Sequence, residues 1–332
     1  MLSIKTAEVK KLFTEAKHEL ADPYRRNAYF KKLKKFLVSL LSFLVILGVA
    51  YVIIAPVIGM FVNSISSDKD AYDPIMFIFP NYPTLEKYQL VIKRMDYWKT
   101  IGRNMGLVAI CTLIQLLVCS MVGYGFARFN FPFKKILFGF VVVMIVIPNH
   151  AIMLPLYITF KEIDPFGLFT LLFKGGVSIM GTPLPMIVMS LFGCGLRSGL
   201  YIYIFNQFFR GLPKEIEEAA LVDGAGLWYT YFRIMLVNAM PSVITVTVFS
   251  VVWQFNDTFF ANLFNISDNI VISKRISSLA GVIANQDRIL EPPLQKLYVS
   301  AGTILIVVPM VVIYLILQKR FIEGVERSGI VG

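Results

Sequence analysis

Apolar residues in this chain come in blocks too long for a soluble fold. Six blocks, 36–63, 104–127, 136–160, 184–208, 237–256 and 297–317, are dominated by Leu, Ile, Val, Phe and Met. A helix needs about 20 such residues to cross the roughly 30 Å hydrocarbon core of a bilayer, and each block meets or approaches that length. The blocks at 36–63, 136–160, 237–256 and 297–317 contain no Asp, Glu, Lys or Arg, and the one at 184–208 contains only Arg197. Charged residues make up 16% of the chain and its mean hydropathy is +0.69, whereas soluble domains carry about a quarter charged residues. The expected fold is an all-α polytopic membrane protein with six transmembrane helices.

Basic residues set the expected orientation. Ten Lys and Arg precede the first block, and positive segments stay on the cytoplasmic side. An even number of spans then brings the C-terminus back to the cytoplasm. The domain reading is a basic cytoplasmic arm at 1–35, a six-helix transmembrane region at 36–317 with a cytoplasmic loop at 209–236, and a cytoplasmic tail at 318–332. The arm is expected to be a surface helix or a solvated basic segment. The first block is too long for a cleavable signal. A net charge of +11 fits orientation and anionic lipid; no nucleic-acid motif accompanies it. Residues 65–100, with prolines at 74, 80 and 83, form an expected outer loop.

The chemistry of the blocks narrows function further. Cys111, Cys119 and Cys194 lie inside blocks without a C-x-x-C pair, and His18 and His150 are too few for a metal cluster. No metal site and no catalytic residue is expected. Ion-coupled carriers place ionisable groups near the midplane, and this chain has almost none. It also has no G-x-x-x-x-G-K-[ST] phosphate loop. A self-contained channel or facilitator fits these residues; uphill transport would require a separate ATPase. In the third block, Pro148 and Pro155 predict a bent helix lining a cavity, with Asn149 and His150 facing the bundle interior.

One segment does not belong among the blocks: "LPKEIEEAALVDGAG", 212–226. Pro213 suits a first helical turn, and Glu215, Glu217 and Glu218 favour the positive N-terminal end. Gly224 or Gly226 can end the helix. A helix of about three turns, roughly 16 Å long, is expected, with Ile216, Ala219, Ala220 and Asp223 along one side. An ordinary connecting helix and a plug for a partner's groove both fit these residues.

This segment resembles the EAA loop of the membrane subunits of bacterial ABC importers. Glu218-Ala219-Ala220 is followed by Gly224, and nine residues later by Ile234 and Leu236. Val237 stands where that pattern has proline, and Pro241 follows. "NQFFRGLPKEIEEAALVDGA", "YGFARFNFPFKK", "VVWQFNDTFFANLF" and the glycine-spaced tail "FIEGVERSGIVG" are similar to the carbohydrate-uptake branch, in particular the maltose-type second permease. The resemblance runs from about residue 36 to the C-terminus.

The resemblance implies a type I ABC importer permease core in a bacterial cytoplasmic membrane. It implies four kinds of partner: a second, different permease subunit, a cytoplasmic ATPase dimer, an extracellular solute-binding protein, and an oligosaccharide or related glycan as substrate. No cofactor is expected in this chain; ATP and Mg would be bound by the partner ATPase. The ATPase-coupling residues would be Glu217, Glu218, Ala219, Ala220, Asp223 and Gly224. Trp253, Asn256 and Asp257 are candidates for the substrate path, because an aromatic face and polar side chains suit sugar rings and hydroxyls. Interfacial anchoring explains the tryptophan equally well. A permease for a non-sugar solute shares the same architecture.

Overall fold

The structure, a computed structural model, describes residues 23–72, 79–164 and 176–329. The chain divides into a unit ending at Gly59 and a second running from Met60 to the C-terminus. Helix α1 (Pro23–Ile65) opens with a proline, whose missing N–H is no loss in a first turn. It continues without a break through Lys31, Lys32, Lys34 and Lys35 into the first apolar block. The expected boundary at 35/36 is therefore a change of composition along one helix. Residues 1–22 of the basic arm lie outside the described residues.

In the second unit, α2 (Glu86–Met95) and α3 (Tyr97–Arg128) meet at Asp96. Next come α4 (Lys134–Val146), a 3-10 turn at Asn149–Ile152 and α5 (Met153–Lys161). Then follow α6 (Leu184–Leu191), α7 (Ser198–Gly211) and α8 (Glu215–Val222). The chain continues through α9 (Leu227–Asn238, with a π-helical stretch at Thr230–Met235), α10 (Met240–Phe255) and α11 (Phe259–Leu263). It ends with α12 (Ile272–Asp287) and α13 (Pro292–Gly329). Among the described residues no strand forms, only two isolated bridges, Ser66 with Pro83 and Ile163 with Val177.

Among the described residues, three helices are long and apolar enough to cross a membrane unbroken: Lys31–Ile65, Tyr97–Arg128 and Pro292–Ile316. Two bent pairs pass the same test jointly. α4 and the Asn149–Lys161 segment meet at 108°, and α9 and α10 meet at 76°. The first bend has a local cause. Ile147 precedes Pro148, whose ring disfavours helical backbone in the residue before it, and Ile147 is extended with ψ 122°. At the second bend Pro241 sits in the first turn of α10, so the position held by Val237 is not where the chain turns. The block at 184–208 is split into α6 and α7 by Phe192–Arg197.

The core is threaded on α3, about 48 Å long at 1.5 Å per residue. Near its start, Tyr97 and Val108 join Val91 and Met95 of α2, Ile272, Leu279 and Ile283 of α12 and Tyr298 of α13. Midway, Leu107 and Cys111 pack with Met186, Met189, Phe260 and Phe264. Towards its end, Cys119 and Tyr124 pack with Tyr201, Phe205 and Phe209 of α7 and Tyr231 and Met235 of α9. The approach of α3 to α7 depends on Gly123. A Cβ there would stand 2.6 Å from Cβ of Phe205 and 3.0 Å from the Asn206 nitrogen.

Polar contacts fasten the other end of α3's neighbourhood. Arg94 forms a forked ion pair with Asp287, and Arg275 donates to the Arg94 carbonyl at 2.7 Å and to Asp268 at 2.7 Å. Lys87, almost fully buried, binds the Ser66 carbonyl at 2.7 Å and Asp68 at 2.9 Å. The arginine contacts join the 65–100 segment, where it is described, to α12, and the Lys87 contacts fold that segment on itself.

Candidate functional site

Helix α8 is shorter than its sequence predicts. It runs for 8 residues, Glu215–Val222, about 12 Å and two turns. Leu212 is extended and Lys214 acts as N-cap, so Pro213 lies just before the helix and not in its first turn. At the other end the Gly224 N–H donates to the Leu221 carbonyl and the Ala225 N–H to the Ala220 carbonyl. This is the Schellman pattern, which needs a left-handed residue between them, and Gly224 supplies it at φ +80°.

The two faces of α8 differ in kind. Glu217 and Ala220 point inward, and Ala220 is buried. Tyr124 Oη donates to Glu217 Oε1, and Arg128 Nε lies 3.2 Å from Glu217 Oε2. That N–H is not aimed along the contact, so the attraction is Coulombic. The directed bond of Arg128 runs from Nη2 to the Leu212 carbonyl at 2.9 Å. The end of α3 therefore grips both α8 and the turn leading into it. Glu215, Glu218, Ala219, Leu221 and Val222 point outward, and Val222 is 86% exposed. Asp223 and Gly224 are exposed at the helix end. The small and acidic residues thus split: Glu218 and Ala219 are free to meet another surface, while Glu217 and Ala220 hold the helix to its own chain.

The second feature lies deeper, between α4, α5, α6 and α7. A cavity of about 400 Å³ is lined by Met144, Asn149, Pro155, Thr159, Arg197 and Phe260 among others. The bent pair α4–α5 forms one wall, as the two prolines predict. Asn149 faces the cavity, but His150 is exposed and sits edge-on to Phe259 with centroids 4.8 Å apart. The other wall is the break between α6 and α7. There Arg197 takes left-handed backbone, φ +62°, an uncommon conformation for a residue with a side chain. Its guanidinium lies 4.3 Å from the ring centroid of Trp253, a cation–π distance. A charged Arg at the centre of a spanning helix costs about 2.5–3.5 kcal/mol on insertion scales.

A buried polar network holds this break open. Gln115 of α3 is fully buried. Its Nε2 donates to the Leu196 carbonyl at 2.9 Å and to Ser198 Oγ at 3.1 Å. Its Oε1 accepts from Ser250 Oγ at 2.8 Å and from Gln254 Nε2 at 3.2 Å, and Ser250 Oγ also meets Thr112 Oγ1 at 2.9 Å. A carbonyl freed by the helix break thereby finds a donor, as an apolar environment demands. None of these residues was singled out from the sequence. The available signal was a Gln, a Thr and a Ser inside otherwise apolar blocks.

The three candidates for the substrate path do not converge. Trp253 meets Arg197. Asn256 is exposed and its Nδ2 donates to the Val252 carbonyl one turn back at 2.9 Å. Asp257 is buried, with Oδ1 3.4 Å from the Phe260 N–H and its carbonyl accepting from Ser273 Oγ at 2.8 Å. It ties the start of α11 to α12. Among the described residues no group of His, Cys, Asp or Glu could hold a metal ion.

Apolar helices of spanning length, broken helices around a cavity, and a short helix held to the end of one of the long ones are the features of a multi-pass transport subunit. Residues 115–327 match the binding-protein-dependent transport system inner membrane component family, and the chain belongs to that family. The arabinooligosaccharides transport system permease protein AraQ of Halalkalibacterium halodurans is 24% identical over 88% of this chain and 98% of its own length. The trehalose transport system permease protein SugB of Mycobacterium tuberculosis is 25% identical over 83% of this chain and 92% of its own. Among solved structures, a bacterial ABC transporter involved in import of the acidic polysaccharide alginate superimposes with a TM-score of 0.70 at 16% identity, over 87% of this chain and 98% of that one. The protein is an ABC transporter permease of the inner membrane, a transport subunit and not an enzyme.

Proposed function

We propose that this chain is one permease half of an ATP-driven importer for an oligosaccharide or related glycan. Its six apolar blocks act as six spans with both termini in the cytoplasm, the three bent or broken ones included. A second, different permease subunit completes the pathway, and an extracellular solute-binding protein delivers the substrate. The chain works by alternating access: closure of an ATPase dimer, which binds ATP and Mg, drives α8 and opens the cavity outward, and hydrolysis resets it.

The observation that carries this reading is the division of α8 into a held face and a free face. Its inward carboxylate is engaged by Arg128 and Tyr124, while Glu218, Ala219 and Val222 are presented outward. A docking helix needs both properties, since a plug that moved freely could not push a span. Support for sugar as substrate comes from the sugar-named relatives, and support for a binding protein from the family itself.

The test is co-expression with the neighbouring ATPase, permease and binding-protein genes. The expected result is a co-purified complex whose ATPase activity rises with a loaded binding protein and which carries oligosaccharide into proteoliposomes. A chain that purifies alone and passes solute without ATP would be a channel. Uptake of amino acids or polyols in place of glycans would leave the architecture and overturn the substrate.

A further inference from the structure

We propose that the cavity beside the α6–α7 break selects an anionic glycan, with Arg197 as the group that binds its carboxylate or sulfate. The proposal rests on the importer reading and names the substrate class of that same cavity.

Four observations carry it. Arg197 is the one charged residue in the 184–208 block, and it stands where that block is broken. Helix α7 runs 14 residues from Ser198 to Gly211, about 21 Å along its axis, before reaching the turn into α8. If that turn lies at the membrane surface, Arg197 lies well inside a hydrocarbon core about 30 Å thick. Ionisable groups at such depth are expensive and mark substrate or ion pathways.

Next, the charge is not neutralised by its own chain. The ion pairs among the described residues join Lys87 to Asp68, Arg94 to Asp287, Lys99 to Asp96, Arg128 to Glu217 and Arg275 to Asp268. None involves Arg197. Its guanidinium lies over the face of Trp253, which leaves the edge of the guanidinium and its N–H donors available. A planar fork of donors matches a carboxylate or sulfate oxygen pair.

The cavity then fits a sugar. Its volume of about 400 Å³ falls in the range of small-molecule sites. Asn149 and Thr159 on its wall carry groups able to bond hydroxyls.

Lastly, the backbone is committed to this placement. Arg197 occupies left-handed backbone that glycine would accept more readily. Gln115 holds the residues on either side of it, through the Leu196 carbonyl and Ser198 Oγ. Arg197 also caps the start of α7, whose positive end adds to the attraction for an anion.

The experiment uses the complete complex in proteoliposomes with its binding protein. Uronic-acid oligosaccharides, the same compounds as methyl esters, and neutral oligosaccharides are supplied as one mixture, and the contents are read by mass spectrometry. The expected result is accumulation of the acidic compounds over their esters. Arg197→Gln should reduce acidic uptake on the order of tenfold to a hundredfold, as loss of a charged hydrogen-bond partner does, while Arg197→Lys keeps part of it. The ratio of acidic to neutral uptake is the decisive readout, because a purely structural residue would lower both together. Preferential uptake of neutral compounds, unchanged by Arg197→Gln, overturns the proposal. So does loss of the partner permease from the Arg197→Gln complex with an unchanged ratio, which would make Arg197 an intersubunit ion-pair residue. If no glycan enters and none stimulates ATP hydrolysis, the importer reading itself fails, an outcome distinct from the other two.

Discussion

Arg128 and Glu217 meet 3.2 Å apart where the end of α3 reaches the short helix α8. Their side chains are only 6% and 13% exposed, so the pair is shielded from screening far better than a surface ion pair. Tyr124, one turn before Arg128 on α3, bonds the same carboxylate. These contacts fix α8 to α3, which contributes residues to all three core clusters.

The first prediction follows from that clamp. Arg128→Gln should weaken the seating of α8 by about 1.5–3 kcal/mol, because it removes the charge-assisted bond to the Leu212 carbonyl together with the Coulombic attraction to Glu217. The complex should still assemble, because the outward face is untouched. Binding-protein stimulation of ATP hydrolysis and transport should fall together, with basal hydrolysis retained. A double-mutant cycle with Glu217→Gln should give a coupling energy above about 0.5 kcal/mol. An energy of zero would mean that the pair transmits nothing.

The outward face predicts the opposite pattern. Glu218→Lys and Val222→Asp change exposed side chains, so they should alter the melting temperature of the purified chain very little, within about 0.5 kcal/mol in stability. Each should reduce co-purification of the ATPase, because a charge has been reversed or introduced where two surfaces close. Retention of a full complement of ATPase by both variants would assign the docking surface elsewhere.

The contrast between Glu217 and Glu218 shows where sequence reading ends. Adjacent glutamates in a helix are chemically equal until a distant residue chooses one, and Arg128 and Tyr124 make that choice from another helix. The apolar blocks and the proline bends were legible because membrane length and missing N–H groups act locally. The split of the 184–208 block was half-legible in its run of glycines, "FGCGLRSG". What stayed hidden was facing. In blocks that are apolar all round, periodicity does not mark the buried side, so the spacing of Trp253, Asn256 and Asp257 does not reveal that they meet three different neighbours. Gln115 was hidden for the same reason, since its partners lie on α7 and α10 and in the break.

Packing at the α3–α7 crossing gives a stability prediction. Gly123→Val would place carbon where Phe205 Cβ and the Asn206 backbone already stand. Both are fixed parts of α7, so the helices must separate. Overpacking of this kind costs about 1–3 kcal/mol. The detergent-solubilised protein should melt several degrees lower, whereas Gly106→Ala, on the same helix with nothing near its added carbon, should melt no lower than wild type, since alanine favours helix over glycine.

The last prediction concerns pH on the segment before α2. Burial opposes ionisation of Asp70, but the Ser67 N–H and Oγ at 2.9 and 3.0 Å and the Tyr82 N–H at 3.2 Å favour its charged form. The balance holds this carboxyl below the ordinary aspartate value. A depressed folded pKa makes the contribution complete above the unfolded value, about 3.9, and removes it as pH falls through the folded one. Protection of the Ser67 and Tyr82 amides against hydrogen exchange should therefore be constant from pH 7 to about pH 5 and fall below about pH 4, after correction for the intrinsic rate. Asp70→Asn should lower protection at neutral pH and abolish the acid step, because the amide carries no charge to lose. A step that persists in Asp70→Asn would place the titrating group elsewhere.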